Sequence, residues 1–190
     1  MTTRLNKKFN HQSTAVVIAA CLLTVLTSLT ACEQVSCPLN NTVESVYGFY
    51  ASARTADGTF AEGAAVKIAD TLTVTILGRD TVLLNRIYNQ SSISLPVSYY
   101  ADTDTLLFTF TDKQGAIGKD TLWMHKENTA HFDDPSCPVH IWHTVTGVES
   151  TRHIIDTIIV NNADINYDGL ENFQIYFHIS TDQDTTDDED

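Results

Sequence analysis

Apolar and polar residues alternate along most of the chain after residue 42. The alternation is clearest in three stretches, whose every-second positions are Leu72, Val74 and Ile76; Leu106, Phe108 and Phe110; and Val139, Ile141, His143 and Val145. A period of two residues is typical of half-buried β-strands, because successive side chains of a strand point to opposite faces of its sheet. Further strands are predicted at residues 43–53, 81–88, 92–97, 120–126, 153–160 and 173–179.

Turn-forming residues separate these segments, among them Asp57-Gly58, Gln114-Gly115 and Asp168-Gly169. The sequence after Cys32 shows no sustained 3.6-residue period, so about nine short strands are predicted without helices between them. This succession of short strands and turns predicts a single all-β domain at residues 43–180. We expect it to fold as a two-sheet β-sandwich that is immunoglobulin-like in architecture.

The first 31 residues have the composition of a signal peptide for export. Three basic residues, Arg4, Lys7 and Lys8, precede an apolar run at residues 15–31, and no acidic residue occurs before Glu33. A membrane-spanning helix is the alternative, but a span needs about 20 apolar residues. The run is shorter than that and contains threonines and a serine, so we predict that residues 1–31 are removed on export.

The apolar run ends in Leu29-Thr30-Ala31-Cys32, which resembles the lipobox of bacterial lipoproteins, where the cysteine becomes the lipid-bearing N-terminus. The segment Ile18-Ala19-Ala20-Cys21 fits the same pattern, but cleavage there would leave too short an apolar segment before the cut. Cys32 is therefore the predicted lipidation site, and residues 32–42 form a predicted tether. Through this anchor the membrane is a predicted partner.

Two cysteines, Cys37 and Cys137, remain once Cys21 is assigned to the signal peptide and Cys32 to the lipid, and each lies in a Ser-Cys-Pro stretch. An even number of remaining cysteines in an exported chain indicates a disulfide. A metal site or a catalytic thiol is the alternative. Zinc-binding cysteines normally occur in close pairs, whereas these two stand alone in the sequence.

The chain is acidic, with 24 Asp and Glu against 11 Lys and Arg and a formal net charge of −13. Such a balance argues against nucleic-acid binding, which requires clustered basic residues, and against electrostatic docking on an anionic membrane. Much of the charge lies in residues 181–190, which we predict to be a solvated, disordered tail.

The candidate cation ligands are Asp164, Asn166 and Asp168, which with Gly169 match the opening of a calcium-binding loop. The twelfth position, where such a loop has a glutamate, is Ile175, and no flanking helices are predicted. A hairpin turn at Asp168-Gly169 explains the same residues. Calcium binding is therefore kept as an alternative hypothesis.

Histidines are the other candidate metal ligands, and the body contains six, at positions 125, 131, 140, 143, 153 and 178. His140 and His143 are three apart on a strand and should point to opposite faces. His131 and Asp133 share a face, but no third ligand lies beside them in the sequence. The spacing therefore does not identify a metal site.

No catalytic residue is predicted, because neither a G-x-S-x-G nor an H-E-x-x-H motif is present. The chain is therefore predicted not to be an enzyme, and a Ser, His and Asp triad, which only geometry can reveal, is the remaining catalytic alternative. Aromatic residues could line a ligand-binding face instead, namely Trp123, Trp142, Tyr99 and Tyr100.

Several segments together resemble a family of small Bacteroidetes lipoproteins that is known only as a domain of unknown function. They are Leu95-Pro96-Val97, DTLLFTFT at 104–111, HFDDPSCPVHIWHT at 131–144, IIDTIIV and VNNADINYDGLENFQIYF, which ends at Phe177. The resemblance extends from about Cys37 to His178. It implies an exported lipoprotein with an all-β body, and it carries over no activity.

These observations predict a non-catalytic interaction or structural module of the cell envelope, with an envelope protein as its partner. Glu33 is not the aspartate that retains lipoproteins at the inner membrane under the enterobacterial rule. We therefore expect an outer-membrane location, on the periplasmic face or at the cell surface. A calcium-binding or small-ligand-binding lipoprotein is the alternative.

Overall fold

A computed structural model describes residues 16–18, 37 and 42–178. The rest of the predicted signal peptide, the lipidation site Cys32 and the acidic tail at 181–190 lie outside these residues. The chain divides into two compact units, residues 1–37 and 38–190. In the first unit, residues 16–18 are helical and exposed. Within the described ranges, no helix has the length and apolar character needed to cross a membrane.

The second unit confirms the predicted β-sandwich, since residues 42–178 form eleven strands in two packed sheets. Sheet A contains β1 (Glu44–Arg54), β2 (Phe60–Ala65), β5 (Ser92–Pro96), β9 (Ile155–Val160) and β11 (Glu171–Phe177). Sheet B contains β3 (Thr71–Ile76), β4 (Val82–Ile87), β6 (Thr103–Thr111), β7 (Ile117–His131), β8 (His140–Ser150) and β10 (Asp164–Ile165).

The strand order of sheet A is β2-β1-β11-β9, and β5 also pairs with β1. The first and last strands, β1 and β11, run parallel, whereas the other pairs of described strands are antiparallel. Sheet B has the order β10-β8-β7-β6-β3-β4. The pairing of β1 with β11 therefore closes the domain by joining its two ends.

Aromatic side chains connect the two sheets in the core. Tyr47 of β1 stacks on its register partner Phe173 of β11, with ring centroids 4.8 Å apart and planes at 17°. The same Tyr47 ring meets the edge of Phe108 in sheet B at 6.2 Å. Such aromatic pairs add about 1 kcal/mol beyond the area that they bury. The predicted alternation of β6 is confirmed, because Leu106, Phe108 and Phe110 are all buried.

A bulge at Asn172 interrupts the parallel pairing of β1 with β11. Val46 pairs with Glu171 and Tyr47 pairs with Phe173, so Asn172 is the extra residue. Its buried side chain takes over the missing ladder bond, because Oδ1 accepts from the Val46 amide at 2.9 Å. Nδ2 donates to the carbonyls of Asn162, at 3.1 Å, and Asp164, at 2.9 Å. Asn172 thereby links sheet A to β10 of sheet B.

A second buried anchor, Asp120 on β7, fixes the connection from β8 to β9. Its carboxylate accepts hydrogen bonds from the Thr151 hydroxyl at 2.6 Å and from the amides of His153 and Ile154, each at 2.7 Å. Burial by itself would raise the pKa of Asp120, but these hydrogen bonds outweigh it, and the pKa lies below its usual value. The carboxylate therefore stays ionised within the fold.

The sequence pattern did not predict two of the strands. β2 has the sequence FAEGAA, which contains no β-branched residue, and Gly63 lies so close to β1 that a Cβ there would be 2.0 Å from the Ala51 carbonyl oxygen. β10 has only two residues. The strands predicted on either side of the Asp168-Gly169 turn, β9 and β11, do pair antiparallel, but their connection is not a tight hairpin, because β10 within it pairs with β8 of sheet B. The segment instead forms an arch between the sheets.

Candidate functional site

Candidate site residues converge where β7 ends and β8 begins. His131 and His140 are directly opposite each other in the register of these strands, and Trp142 is opposite Thr129. His140 and Trp142 lie on the face of β8 opposite to the core residue Val145. The side chains of the two strand ends therefore meet on one face of these strands, where His140 is buried and Trp142 packs against the hydrophobic core.

Asp133 stands between the two histidines. Its Oδ1 is 3.2 Å from His131 Nε2, and its Oδ2 is 3.4 Å from His140 Nε2. The second contact has the distance of an ion pair without hydrogen-bond geometry. Sequence reasoning treated His131 and Asp133 as an isolated pair, and this was wrong, because the opposite strand brings His140 to the same carboxylate.

Two aromatic rings complete the group. Trp142 stacks on His131, with ring centroids 3.5 Å apart and planes at 14°. Tyr167 stands edge-on to His140 at 5.4 Å and to Trp142 at 6.4 Å, and its hydroxyl is hydrogen-bonded to His140 Nδ1. We call these five residues, His131, Asp133, His140, Trp142 and Tyr167, the histidine–aromatic cluster.

The cluster has a buried base and an exposed apolar rim. His140 is fully buried, whereas Phe132, Val139 and Tyr167 expose 63%, 43% and 42% of their surface. Phe132 and Val139 flank the connection from β7 to β8, next to His131 and His140 in the chain. We call these three exposed residues the rim. Of the rim residues, Tyr167 is held in place by its hydrogen bond to His140.

The residues that match a calcium-binding loop form the arch that carries Tyr167 to His140. Asn166 Oδ1 accepts from the Asp168 amide at 2.7 Å, and Asp168 Oδ1 accepts from the Leu170 amide at 2.9 Å. Asp164 Oδ1 accepts from the Thr144 hydroxyl at 3.2 Å. These side-chain oxygens thus shape the local turns. Calcium binding by Asp164, Asn166 and Asp168 stays a prediction.

The chemistry of Tyr167 is that of a neutral hydroxyl. Burial raises its pKa, and the negative charge of Asp133 and the neighbouring Tyr99 raise it further. A phenol held neutral is a poor nucleophile, because nucleophilic hydroxyls are activated by removal of their proton. The Tyr167 hydroxyl is thus a neutral hydrogen-bonding partner of His140.

A second polar group lies on the inner face of the same strands, centred on Lys126. The Lys126 ammonium is fully buried and donates to the carbonyl of Ser98 at 2.8 Å, to the carbonyl of Ala101 and to Asn128 Oδ1 at 2.9 Å. Desolvation lowers the pKa of Lys126, although Asp104 and Asp102 partly oppose this. Sequence reasoning missed this lysine, since its position in an alternating strand gives no sign of its partners.

His143 belongs to this inner group, so it and His140 point to opposite faces, as predicted. Its Nδ1 donates to Asn128 Oδ1 at 2.7 Å. Burial and the positive charge of Lys126 lower the pKa of His143 to about 4, against a smaller opposing effect of Asp104. His143 is therefore neutral at physiological pH. Across the described part of the chain, no three His, Cys, Asp or Glu side chains are arranged to hold a metal ion.

The remaining aromatic candidates are divided between two places. Tyr99 is close enough to Tyr167 to affect its pKa, and its hydroxyl is hydrogen-bonded to that of Thr42 at 2.8 Å. Its neighbour Tyr100 is almost fully exposed. Trp123 pairs with Thr105 in the ladder of β6 and β7, away from the cluster.

The two Ser-Cys-Pro cysteines, Cys37 and Cys137, are both disulfide-bonded. This supports the disulfide predicted between them. Cys137 lies in the connection from β7 to β8, which also carries Asp133 and the rim residues Phe132 and Val139.

The segment from residue 71 to residue 177 matches a protein family described as a family of unknown function (DUF6452). The chain belongs to this family. The matched segment includes the whole histidine–aromatic cluster and the inner group around Lys126, so the residues of both groups lie within the part of the chain that the family model covers. No curated protein matches the chain, and no solved structure matches it.

The low pKa of His143 predicts a pH-dependent stability. An unfolded histidine has a pKa of about 6.5, so between about pH 6.5 and 4 the unfolded chain binds a proton that folded His143 does not. The contribution of His143 to the free energy of unfolding should therefore be fully present above pH 6.5. It should be lost as the pH drops to 4, which lowers the free energy of unfolding by up to about 3 kcal/mol. Urea unfolding at a series of pH values measures this loss.

The variant His143→Gln should lose this component of the pH dependence, and His178→Gln, which changes an exposed histidine, should retain it. The assignment to His143 is wrong if the stability of His143→Gln falls as steeply as that of the unmodified protein over the same interval.

Proposed function

We propose that this protein is an exported lipoprotein, anchored at the outer membrane through lipid on Cys32, whose β-sandwich binds an envelope protein without catalysing a reaction. The lipobox-like Leu29-Thr30-Ala31-Cys32 and the resemblance to small Bacteroidetes lipoproteins support the anchor. The disulfide-bonded state of Cys37 and Cys137 supports export, because disulfides persist in oxidising compartments.

The rim is the observation that carries the binding proposal. Phe132, Val139 and Tyr167 are exposed apolar side chains, and Tyr167 is fixed by its hydrogen bond to the buried His140. Aromatic side chains are enriched and charged ones depleted at the centres of protein interfaces. A side chain that is fixed before binding, as Tyr167 is, also loses less entropy on binding. The rim therefore suits the centre of a protein interface.

The net charge of the chain limits the charge that a partner surface can carry. The chain has a net charge of −13, so an acidic partner would be repelled at long range. We therefore infer a partner with an apolar patch surrounded by neutral or basic residues. The neutral hydroxyl of Tyr167 and the full burial of His140 support binding without catalysis.

The anchor is tested by substituting the two candidate lipid-bearing cysteines. We expect Cys32→Ser to move the protein from the membrane fraction to the soluble fraction and to remove the acyl mass. The matched control Cys21→Ser should stay in the membrane fraction and keep the acyl mass, because that residue would leave with the signal peptide. The opposite pattern, with Cys21→Ser losing the lipid, would place the cleavage site at Ile18-Ala19-Ala20-Cys21.

The rim is tested by crosslinking in intact envelopes. A photoreactive amino acid at position 132 should give a defined protein adduct, and one at the similarly exposed Tyr88 should not. With that partner purified, Phe132→Ser should weaken binding at least tenfold, because a central aromatic residue often contributes 2 kcal/mol or more. Tyr88→Ser should bind as the unmodified protein does.

The melting temperatures of Phe132→Ser and Tyr88→Ser should stay close to that of the unmodified protein, since both side chains are exposed. The binding role of the rim is contradicted if position 132 gives no adduct, or if Phe132→Ser binds the captured protein with unchanged affinity.

A further inference from the structure

A cleft of about 310 Å³ is lined by residues that do not include the rim residues. The turn from β3 to β4 and the connection from β5 to β6 form its two sides. Its volume is at the lower end of the range for small-molecule sites, about 300 to 1,000 Å³. The cleft therefore has room for a small ligand but not for a folded partner.

The walls of the cleft are mainly apolar. Leu77 and Leu83 contribute from the hairpin of β3 and β4, and Val97 and Leu106 contribute from the other side. Val97 and Leu106 belong to the buried core, whereas Leu77 is about half exposed. The apolar surface thus extends from the interior to the opening, as an alkyl or aromatic group would require.

Two charged side chains, Asp104 and Arg79, also line the cleft, and their surroundings differ. The Asp104 carboxylate accepts hydrogen bonds from both the amide, at 3.0 Å, and the hydroxyl of Ser98. The buried ammonium of Lys126 lies 4.0 Å from Asp104 Oδ2. Asp104 is therefore already compensated and offers little attraction to a cationic ligand.

Arg79, in contrast to Asp104, is a charged side chain of the cleft that is not compensated. Among the residues that the structure describes, its guanidinium has no hydrogen-bond or ion-pair partner, and the residue is exposed in the turn that follows Gly78. A guanidinium fork matches the two oxygens of a carboxylate. The combination favours a ligand with an apolar body and one anionic end.

We propose that the cleft binds a small amphiphilic carboxylate, with its apolar body against Leu77 and Leu83 and its carboxylate on Arg79. This site is separate from the rim and does not depend on the proposed protein partner. It gives the sandwich a second binding activity, directed at a small molecule.

Three probes with the same eight-carbon body test the ligand class: octanoate, octylamine and octanol. Titration calorimetry and amide chemical shifts of the full mature chain measure affinity and location. We expect octanoate to bind most tightly, with shifts confined to residues 76–83 and 96–106. We expect octylamine to bind most weakly, because Asp104 is already engaged.

Substitutions then separate the charge from the apolar wall. Arg79→Gln should weaken octanoate binding about tenfold, as expected for the loss of one charge-assisted contact, and leave octanol binding unchanged. Leu77→Ser should weaken both probes. The controls are Arg86→Gln, which removes the same charge from an exposed site on β4, and Ile117→Ser, which removes an exposed apolar side chain outside the cleft.

Both control variants should bind octanoate as the unmodified protein does. The proposal is overturned if octylamine binds as well as octanoate, if Arg79→Gln and Arg86→Gln have the same effect, or if the shifts lie outside the cleft. Because Arg79 and Leu77 are exposed, both variants should fold, and an unchanged melting temperature checks this.

Discussion

The buried side chain of Asn172 connects the closure of the domain to the position of the candidate site. Its Oδ1 replaces a ladder acceptor for Val46 at the bulge between β1 and β11, and its Nδ2 holds the carbonyls of Asn162 and Asp164. The same residue therefore joins the first and last strands and fixes the start of the arch that carries Tyr167. A buried amide left without these partners would cost about 1 to 3 kcal/mol for each unsatisfied group. We regard this bonding as the constraint on which the geometry of the cluster depends.

The two faces of β7 and β8 share a support in the connection from β5 to β6. Lys126 holds this connection through the carbonyls of Ser98 and Ala101. One part of the connection lines the cleft, and another carries Tyr99 toward Tyr167. Burying a lysine costs free energy unless its donors are satisfied, and here three acceptors and the nearby Asp104 compensate it. The inner polar group thus positions the connection, and its members Ser98, Ala101 and Asp104 themselves line the cleft.

The fold class and most strands could be predicted from alternation alone, because one buried face imposes a two-residue period, as in β3 and β6. The order of strands could not, since it depends on contacts such as Tyr47 with Phe173 that are distant in sequence. In the site, the spacing of His140 and His143 correctly gave opposite faces. The convergence of His131, Asp133 and His140 required the register of β7 against β8. Tyr167 was missed because the residues around it matched a calcium loop, whereas their oxygens form the turns that present this ring.

Hydrogen–deuterium exchange of the Asn172→Ala variant tests the central role of Asn172 most directly. The control is Asn161→Ala, which removes a neighbouring exposed amide that donates to the Glu171 carbonyl. If Asn172 couples domain closure to the site, exchange at Val46 and across residues 164–170 should accelerate together at least tenfold in Asn172→Ala, with β6 and β7 unchanged. Faster exchange at Val46 alone, with the arch as protected as in the control, would contradict the account.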